Sequence, residues 1–140
     1  MLVGFPIALF TATIALELAQ IGTHDAFYDR AAMVANIAGV VMALLAMIPG
    51  AIDLVALPAH SPARATGIKH AAFNLLTVAV FAISAVLLVR GFDSHIPLAF
   101  GMIGIVTMAY AGALGYALVH AAPRSRRALP ARHFGAAVHH

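Results

Sequence analysis

Four long apolar stretches constrain the fold of this 140-residue chain more than any other feature. They cover residues 2–21, 32–57, 66–89 and 96–119, and the third has an alternative start at residue 69. A bilayer core about 30 Å thick is crossed by roughly 20 apolar residues in an α-helix. The chain is 63% hydrophobic and only 9% charged, whereas a typical soluble domain is about 45–50% apolar and about 25% charged. So few charges cannot keep such a surface in water, and the sequence therefore predicts four membrane-spanning helices.

The links between the stretches are short, which makes consecutive helices antiparallel neighbours. The stretches also lack the alternation of apolar and polar residues over about 10 positions that marks the strands of a membrane β-barrel. We therefore expect an all-α fold, an integral membrane antiparallel four-helix bundle that forms one transmembrane domain over residues 1–121. Residues 122–140 are basic, and we expect them to form a flexible cytoplasmic tail. The absence of cysteine excludes disulfides, thiolate metal sites and attached c-type haem.

Basic residues are distributed unevenly between the two sides of the predicted bundle. The side that holds both termini and the link between the second and third helices carries Arg64, Lys69, Arg124, Arg126, Arg127 and Arg132. The other side carries Arg30 and Arg90. Because loops rich in Lys and Arg stay in the cytoplasm, we predict a membrane protein with both termini in the cytoplasm. A basic tail beside a membrane helix favours contact with anionic lipid, and since no nucleic-acid motif accompanies it, nucleic acid is not an expected partner.

Each predicted helix carries a seam of small or polar residues at alternating spacings of three and four. The seams are Pro6, Phe10, Thr13, Glu17 and Gln20 on the first helix; Asn36, Gly39, Ala43, Ala46, Gly50 and Asp53 on the second; His70, Asn74, Thr77, Phe81, Ser84 and Leu88 on the third; and Gly101, Gly104, Met108, Ala111, Gly115 and Leu118 on the fourth. Small residues allow helix backbones to approach closely in lipid. A repeat of 3.5 residues favours left-handed packing. We therefore expect the seams to face the interior of a left-handed bundle.

The seams place polar residues at two depths, because antiparallel neighbours bring the end of one helix level with the start of the next. The layer predicted on the cytoplasmic side contains Asp53, His70 and Asn74, with His120 nearby. The layer predicted on the outer side contains Glu17, Gln20, Asn36 and Ser84. Each end of the bundle thus has one candidate buried carboxylate, and mainly apolar residues lie between the two layers.

The layer on the cytoplasmic side has both a functional and a structural interpretation. An ionised carboxylate inside a bilayer costs about 2.5–3.5 kcal/mol on insertion scales unless it is paired or hydrated. Asp53 is therefore either a proton-accepting or ligand-orienting group, or a clamp to a polar residue at the start of the third helix. His70 is either a ligand of haem iron or a proton relay, or it is a hydrogen-bonding strut. A haem held by two histidines would need a second ligand at a similar depth, for which His120 is a candidate.

The outer side offers two further groups of polar residues. Glu17 either reaches water by extending its side chain, or forms a polar pocket with Gln20, Asn36 and Ser84. The nearby loops hold two histidines and three aspartates, namely His24, His95, Asp25, Asp29 and Asp93. These loop residues are either metal ligands or solvated side chains.

Four short motifs resemble those of a bacterial family of four-helix membrane proteins known as a domain of unknown function. Members of that family open with His-Phe-Pro-Ile-Ala-Leu, to which Gly-Phe-Pro-Ile-Ala-Leu at residues 4–9 is similar. The family's Gly-x-x-Asp resembles residues 50–53, its His-x-x-x-Asn resembles residues 70–74, and its Gly-Gly-x-Leu-Val ending resembles residues 115–120. The resemblance covers about residues 3–120, and it implies that the protein lies in a bacterial inner membrane. It implies a redox setting, because some relatives are joined to a Rieske iron–sulfur domain, and it therefore implies a Rieske-type redox partner.

One departure from the family's motifs bears on cofactor binding. The family's histidine before Phe-Pro is replaced by Gly4 in this chain. If that histidine pairs with the one on the third helix to hold a cofactor, this chain has lost half of the site. The resemblance therefore gives weaker support to haem b at His70 here than in relatives that keep both histidines.

Three functions follow from these patterns. The first is a redox-associated membrane module with a haem b or quinone site near Asp53, His70 and Asn74. The second is a non-catalytic accessory or scaffold subunit, in a homo-oligomer or a larger membrane complex, in which the same residues stabilise the bundle. The third is a proton or small-ion pathway that links the two polar layers. No complete catalytic constellation is present in the sequence, so none of the three requires an enzyme.

Overall fold

The computed structural model describes residues 2–121, and within that range it contains four helices and no strand. The helices are α1 (Gly4–Thr23), α2 (Ala26–Ala56), α3 (Pro62–Val89) and α4 (His95–Ala121). All four are long and apolar enough to cross a membrane. The predicted all-α membrane bundle is therefore confirmed. The predicted tail, residues 122–140, lies outside the described residues.

The helices form a closed ring in which consecutive helices pack together and α1 also contacts α4. α1 packs more loosely on α4 than on α2. The ring has two ends. We call the end with the α1–α2 and α3–α4 loops the Glu17 end, and the end with the α2–α3 loop the His70 end.

Two helices begin earlier than the apolar stretches predict. α2 begins after Asp25, whose carboxylate accepts a hydrogen bond from the Phe27 N–H over 2.8 Å. α3 begins at Pro62, after Ser61, whose hydroxyl accepts a hydrogen bond over 3.1 Å from the backbone N–H three residues on. Both arrangements are favoured ways to start a helix, since side-chain oxygens satisfy N–H groups that have no partner in the first turn. The polar first turns of α2 and α3 are therefore helical, although the limits of the apolar stretches predict loops there.

The centre of the bundle is a stacked pair of aromatic rings. Phe10 and Phe81, from the diagonally opposite α1 and α3, stack with centroids 3.8 Å apart and planes 5° from parallel. A Cβ atom on Gly39 of α2 would lie 2.7 Å from the Phe10 ring, and one on Gly104 of α4 would lie 2.5 Å from the Phe81 ring. We call these four residues the aromatic layer. The two glycines let the backbones of α2 and α4 close against the rings, which leaves both rings at most 1% exposed.

Most of the predicted seams are buried. The buried residues of α1 are Pro6, Phe10, Thr13 and Glu17, and those of α2 are Ala32, Asn36, Gly39 and Ala43. The α2 seam is wrong at its other end, where Gly50 and Asp53 are exposed. The α2 seam is therefore buried at the Glu17 end and in the middle of the bundle, and it is exposed toward the His70 end.

Candidate functional site

Three polar side chains at the Glu17 end are almost completely buried. Glu17 is 1% exposed, and Asn36 and Ser84 are 0% exposed. They come from α1, α2 and α3, and α4 contributes the buried Gly101 to the same region. We call these four residues the Glu17 layer. Glu17, Asn36 and Ser84 of the predicted outer-side layer thus face the interior of the bundle, and the Glu17 side chain does not reach water by extending to the surface.

The four members of the Glu17 layer lie at one depth. Asn36, Ser84 and Gly101 each lie three residues from a member of the aromatic layer, or about 4.5 Å toward the Glu17 end at 1.5 Å per residue. Glu17 lies seven residues beyond Phe10, but helical side chains lean toward the N-terminus of their helix. The carboxylate therefore returns to the depth of the other three. Its Oε2 atom lies 3.7 Å from the point that a Cβ atom on Gly101 would occupy.

One chain of hydrogen bonds crosses this layer. The Asn36 amide donates to the Ser84 hydroxyl over 3.1 Å, and that hydroxyl donates to the Pro97 carbonyl over 3.2 Å. The chain joins α2, α3 and α4. The acceptor at its end is the carbonyl of the fully buried Pro97. The sequence does not predict this partner, because every residue has a backbone carbonyl.

Three oxygen atoms of the layer remain without a donor. None of the described residues donates a hydrogen bond to Glu17 Oε1, Glu17 Oε2 or Asn36 Oδ1, although all three atoms are buried. An unpaired buried polar group costs about 1–3 kcal/mol, and a charged one costs more. The Glu17 layer is thus rich in acceptors and lacks donors.

A polar cleft of about 270 Å³ opens at the Glu17 end of the bundle. Its walls are formed by Gln20, Ile21, His24, Asp29, Gly91, Phe92, Asp93, Ser94 and His95. It therefore brings together four of the five loop residues that were candidates from the sequence, while Asp25 caps α2 instead. Within residues 2–121, no three His, Asp or Glu side chains are arranged to hold a metal ion. Gln20, which is half-buried, belongs to this cleft rather than to the fully buried layer.

The His70 end has a different polar arrangement, in which the imidazole bonds on both sides. The His70 Nδ1–H donates to the Ala111 carbonyl on α4 over 2.8 Å. Because a carbonyl can only accept, this bond places the proton on Nδ1, and Nε2 accepts from the Asn74 amide over 3.0 Å. The same amide donates to the His70 carbonyl over 2.9 Å. His70 and Asn74 are half-buried, and we call them the His70 pair.

The His70 ring is also held closely by α4. A Cβ atom on Gly115 would lie 3.0 Å from the ring carbon Cε1 and 3.3 Å from Nδ1. The glycine therefore provides the space that the imidazole occupies. With its bond to Ala111, this contact makes His70 a link between α3 and α4.

Asp53 does not join the His70 pair, which corrects the predicted layer on this side. Its side chain is exposed, and the ring nitrogens of His70 bond to Ala111 and Asn74 instead. α2 has 31 residues, or about 46 Å at 1.5 Å per residue, which is longer than a bilayer core of about 30 Å. Asp53 lies near the end of this long helix, where its side chain is exposed. Neither the clamp nor the buried proton acceptor is therefore formed.

His120 is likewise separated from the His70 pair. Its ring is exposed and stacks on Tyr116 with centroids 3.8 Å apart. Its Nδ1–H donates to the Tyr116 carbonyl of the same helix over 2.9 Å. His70 contacts the face of α4 that carries Ala111 and Gly115, whereas His120 lies on the exposed face beside Tyr116. The structure therefore does not bring the two histidines together.

Between the two polar regions lie the aromatic layer, the buried Thr13, whose hydroxyl donates to the Leu9 carbonyl over 2.9 Å, and one short polar contact. Thr77 Oγ1 lies 2.9 Å from Thr107 Oγ1, and the Thr107 hydroxyl donates to the Gly104 carbonyl over 2.9 Å. Ser84 and His70 are 14 residues apart on α3, or about 21 Å along the helix. The stacked rings thus separate the Glu17 layer from the polar contacts of the His70 end.

A comparison with known families gives one match. The model of a family described as "Predicted membrane protein (DUF2231)" matches residues 1–123. Neither the curated proteins nor the solved structures include a significant match. The matched range covers all four helices and both polar regions.

Proposed function

This chain belongs to the DUF2231 family of predicted membrane proteins, and we propose that it is a proton-exchanging membrane module whose exchange site is Glu17. One observation carries the proposal. Three acceptor oxygens of Glu17 and Asn36 are buried in one layer without a donor. Ionisable residues inside membrane helices are rare, face the bundle interior, and often belong to proton relays.

A proton on Glu17 supplies the donor that this layer lacks. Keeping an isolated ionised carboxylate out of water costs far more than keeping a neutral carboxyl group there. In this proposal a protonated Glu17 donates to Asn36 Oδ1, so that one proton satisfies two of the three acceptors. The Asn36 amide is already oriented by its bond to Ser84. In this proposal Asn36 is a positioning residue that fixes where the protonated carboxyl group points.

The cleft and the aromatic layer support exchange with one end of the bundle only. Gln20 lies one turn beyond Glu17 on α1 and lines the polar cleft, so in this proposal protons reach Glu17 from the cleft past Gln20. In the other direction, the stacked rings of Phe10 and Phe81 offer no polar group. With both termini in the cytoplasm, as the charge distribution predicts, the cleft faces the outer side of the membrane. We therefore propose one-sided exchange rather than a pathway through the whole bundle.

Infrared spectroscopy of the purified full chain tests the proposal. A protonated carboxyl group gives a carbonyl band distinct from the amide bands, so at neutral pH the wild type should show one. Glu17→Gln should remove the band, while Asp53→Asn, which changes an exposed carboxylate, should retain it. Asn36→Val should shift the band, because the carboxyl group loses its acceptor. A wild type without the band, or a band unchanged in Glu17→Gln, contradicts the proposal.

A second candidate is the redox-associated module, with haem b or a quinone at His70 and a Rieske-type partner. The observation in its favour is the tautomer of His70. Donation from Nδ1 to a backbone carbonyl leaves the Nε2 lone pair as the ligating atom, and this is how iron-binding histidines are commonly oriented. The residues present do not fit a haem with two histidine ligands, since His120 is exposed on another face and residue 4 is glycine. To bind haem iron, Nε2 of His70 would also have to give up its hydrogen bond to the Asn74 amide.

The absorption spectrum of the purified protein, oxidised and reduced, tests this second candidate. A Soret band lost in His70→Ala supports a haem at this position, and absence of both a Soret band and bound quinone rejects the candidate. In that case the bonds of His70 to Ala111 and Asn74 have a structural role, as expected for an accessory or scaffold subunit. Because the infrared test concerns Glu17 alone, the two candidates are decided independently.

A further inference from the structure

One proton leaves the Glu17 layer incomplete. If Glu17 donates to Asn36 Oδ1, the second carboxyl oxygen of Glu17 is still buried without a donor. This conclusion rests on the proposed function, because it assumes a proton on Glu17. The site therefore needs one further hydrogen-bond donor from outside the described residues.

A groove next to this site opens toward the lipid. It has a volume of about 530 Å³ and lies between α1 and α4, the neighbours that pack loosely. Its walls are formed by Ile7, Thr11, Ile14, Ala15, Leu18, Met102, Ile105, Met108, Ala109 and Gly112. The one hydroxyl among them, on Thr11, donates to the Ile7 carbonyl over 2.8 Å. An occupant of the groove must therefore be apolar along most of its length.

Ile14 forms the boundary between the groove and the carboxyl group. Its side chain lines the groove, and its Cδ1 atom contacts the position that a Cβ atom on Gly101 would occupy. Glu17 Oε2 lies 3.7 Å from the same position. The Ile14 side chain therefore lies between the groove and the unpaired carboxyl oxygen, and a change of its rotamer would open a connection between them.

We propose that the α1–α4 groove binds a lipid-soluble molecule with a hydroxyl group at its head, and that this hydroxyl donates to Glu17. The apolar walls favour a ligand with a hydrocarbon chain, and the unpaired oxygen of Glu17 favours a head group that can donate a hydrogen bond. An acyl chain alone brings no donor. Hydroquinones and long-chain alcohols have the required chemistry.

Binding measurements on the purified full chain in nanodiscs test this proposal, with decyl-hydroquinone, decyl-quinone and 1-decanol as the molecules tested. The hydroquinone should bind about tenfold more tightly than the quinone, which has only acceptor oxygens, since one hydrogen bond is typically worth about that factor. Binding of 1-decanol at similar strength assigns the recognition to the hydroxyl alone, whereas weaker binding assigns part of it to the ring. Equal binding of hydroquinone and quinone overturns the proposal.

Two matched variants locate the ligand. Ala109→Phe fills the groove, because Ala109 lines it, and should abolish binding. Ala113→Phe places the same side chain on an exposed part of α4 outside the groove, and should leave binding unchanged. Glu17→Gln should reduce the preference for hydroquinone over quinone, because the amide has a second N–H that can donate to a quinone oxygen, whereas the single O–H of the protonated carboxyl group is used on Asn36. If Ala109→Phe binds as the wild type does, the groove is not the site.

The infrared band separates failure of this inference from failure of the proposed function. The band of protonated Glu17 should persist in Ala109→Phe, which leaves the carboxyl group untouched. If the band is present and none of the three molecules binds, Glu17 exchanges protons but a water molecule from the cleft supplies the second donor, and the groove proposal is rejected. If the band is absent, the proposed function fails as well.

Discussion

The Glu17 layer and the His70 pair are the two polar regions of this bundle, and they differ in burial and in hydrogen bonding. Glu17 and Asn36 are at most 1% exposed, yet three of their oxygens have no donor. His70 and Asn74 are half-buried, yet both ring nitrogens of the histidine have partners. The region with less access to water is therefore the one with unpaired atoms.

This difference separates a structural role from a functional one. Bonds from His70 to α4 and to its own helix hold two helices together, as polar residues between membrane helices generally do. Unpaired buried acceptors do the opposite, since each one lowers stability. A group that costs stability and could be replaced by an apolar residue is a candidate for function. The Glu17 layer is such a group, although the sequence pattern favoured His70 as the candidate for a functional site.

The largest expected effect concerns the aromatic layer that separates the two regions. Gly104→Ala should lower the free energy of unfolding by about 2 kcal/mol, because overpacking a filled core costs about 1–3 kcal/mol and the added Cβ would lie 2.5 Å from the Phe81 ring. Unfolding in mixed detergent micelles measures this change. Gly112→Ala on the same helix is the control, since nothing lies within 4 Å of its Cβ, and it should not destabilise. Equal effects of the two variants would show that the aromatic layer is loosely packed.

The His70 pair should contribute measurably to stability. His70→Ala removes the bonds to Ala111 and Asn74 and should lower the free energy of unfolding by about 1–2 kcal/mol. A double-mutant cycle with Asn74→Ala should give a coupling energy of about 0.5–1 kcal/mol. His120→Ala, which changes an exposed histidine, should have no measurable effect. If His70→Ala is as stable as the wild type, the structural role assigned to this pair is wrong.

Ser84 should matter for the Glu17 layer through its hydrogen bonds. Ser84→Ala removes the acceptor of the Asn36 amide and the donor to Pro97, and should cost about 1 kcal/mol of unfolding free energy. The infrared band of Glu17 should broaden or shift, because Asn36 is no longer oriented. Ser94→Ala, in the open cleft, should change neither quantity. A Ser84→Ala variant with an unaltered band would indicate that Asn36 does not position the carboxyl group.

The smallest effect is expected at Glu17, and its sign distinguishes the two regions. Glu17→Gln supplies an amide that can donate to Asn36 Oδ1, so the free energy of unfolding should stay the same or rise by up to about 1 kcal/mol. Removal of the polar partners at His70 should instead lower it. A loss of more than about 1 kcal/mol in Glu17→Gln would mean that the carboxylate has a stabilising partner in the folded protein.

Spacing along the chain predicted which residues of the Glu17 end are buried, but it failed at the other end. The seam through Asn36 and Gly39 is buried, whereas its continuation through Gly50 and Asp53 is exposed. A heptad pattern identifies one face of a helix, but it does not show how far neighbouring helices stay in contact with that face. At the His70 end α2 instead meets α3 through Leu54, which lies against Gly67, so Asp53 on another face of α2 is exposed.

The sequence also could not predict the hydrogen-bond partners of the buried polar side chains. Ser84 bonds to the carbonyl of Pro97, and His70 bonds to the carbonyl of Ala111. Every residue has a carbonyl, so these acceptors carry no pattern. The absence of a donor near Glu17 could be recognised only after the neighbours of the carboxyl group on α2, α3 and α4 were known.

A pH change on one side of the membrane gives the most direct test of one-sided proton exchange at Glu17. In vesicles that contain the protein in one orientation, the infrared band of protonated Glu17 is followed after an impermeant buffer shifts the pH on a single side. A rise in pH at the Glu17 end should reduce the band, and the same rise at the His70 end should leave it unchanged. Equal responses from both sides, or a band that responds to neither, would contradict the account.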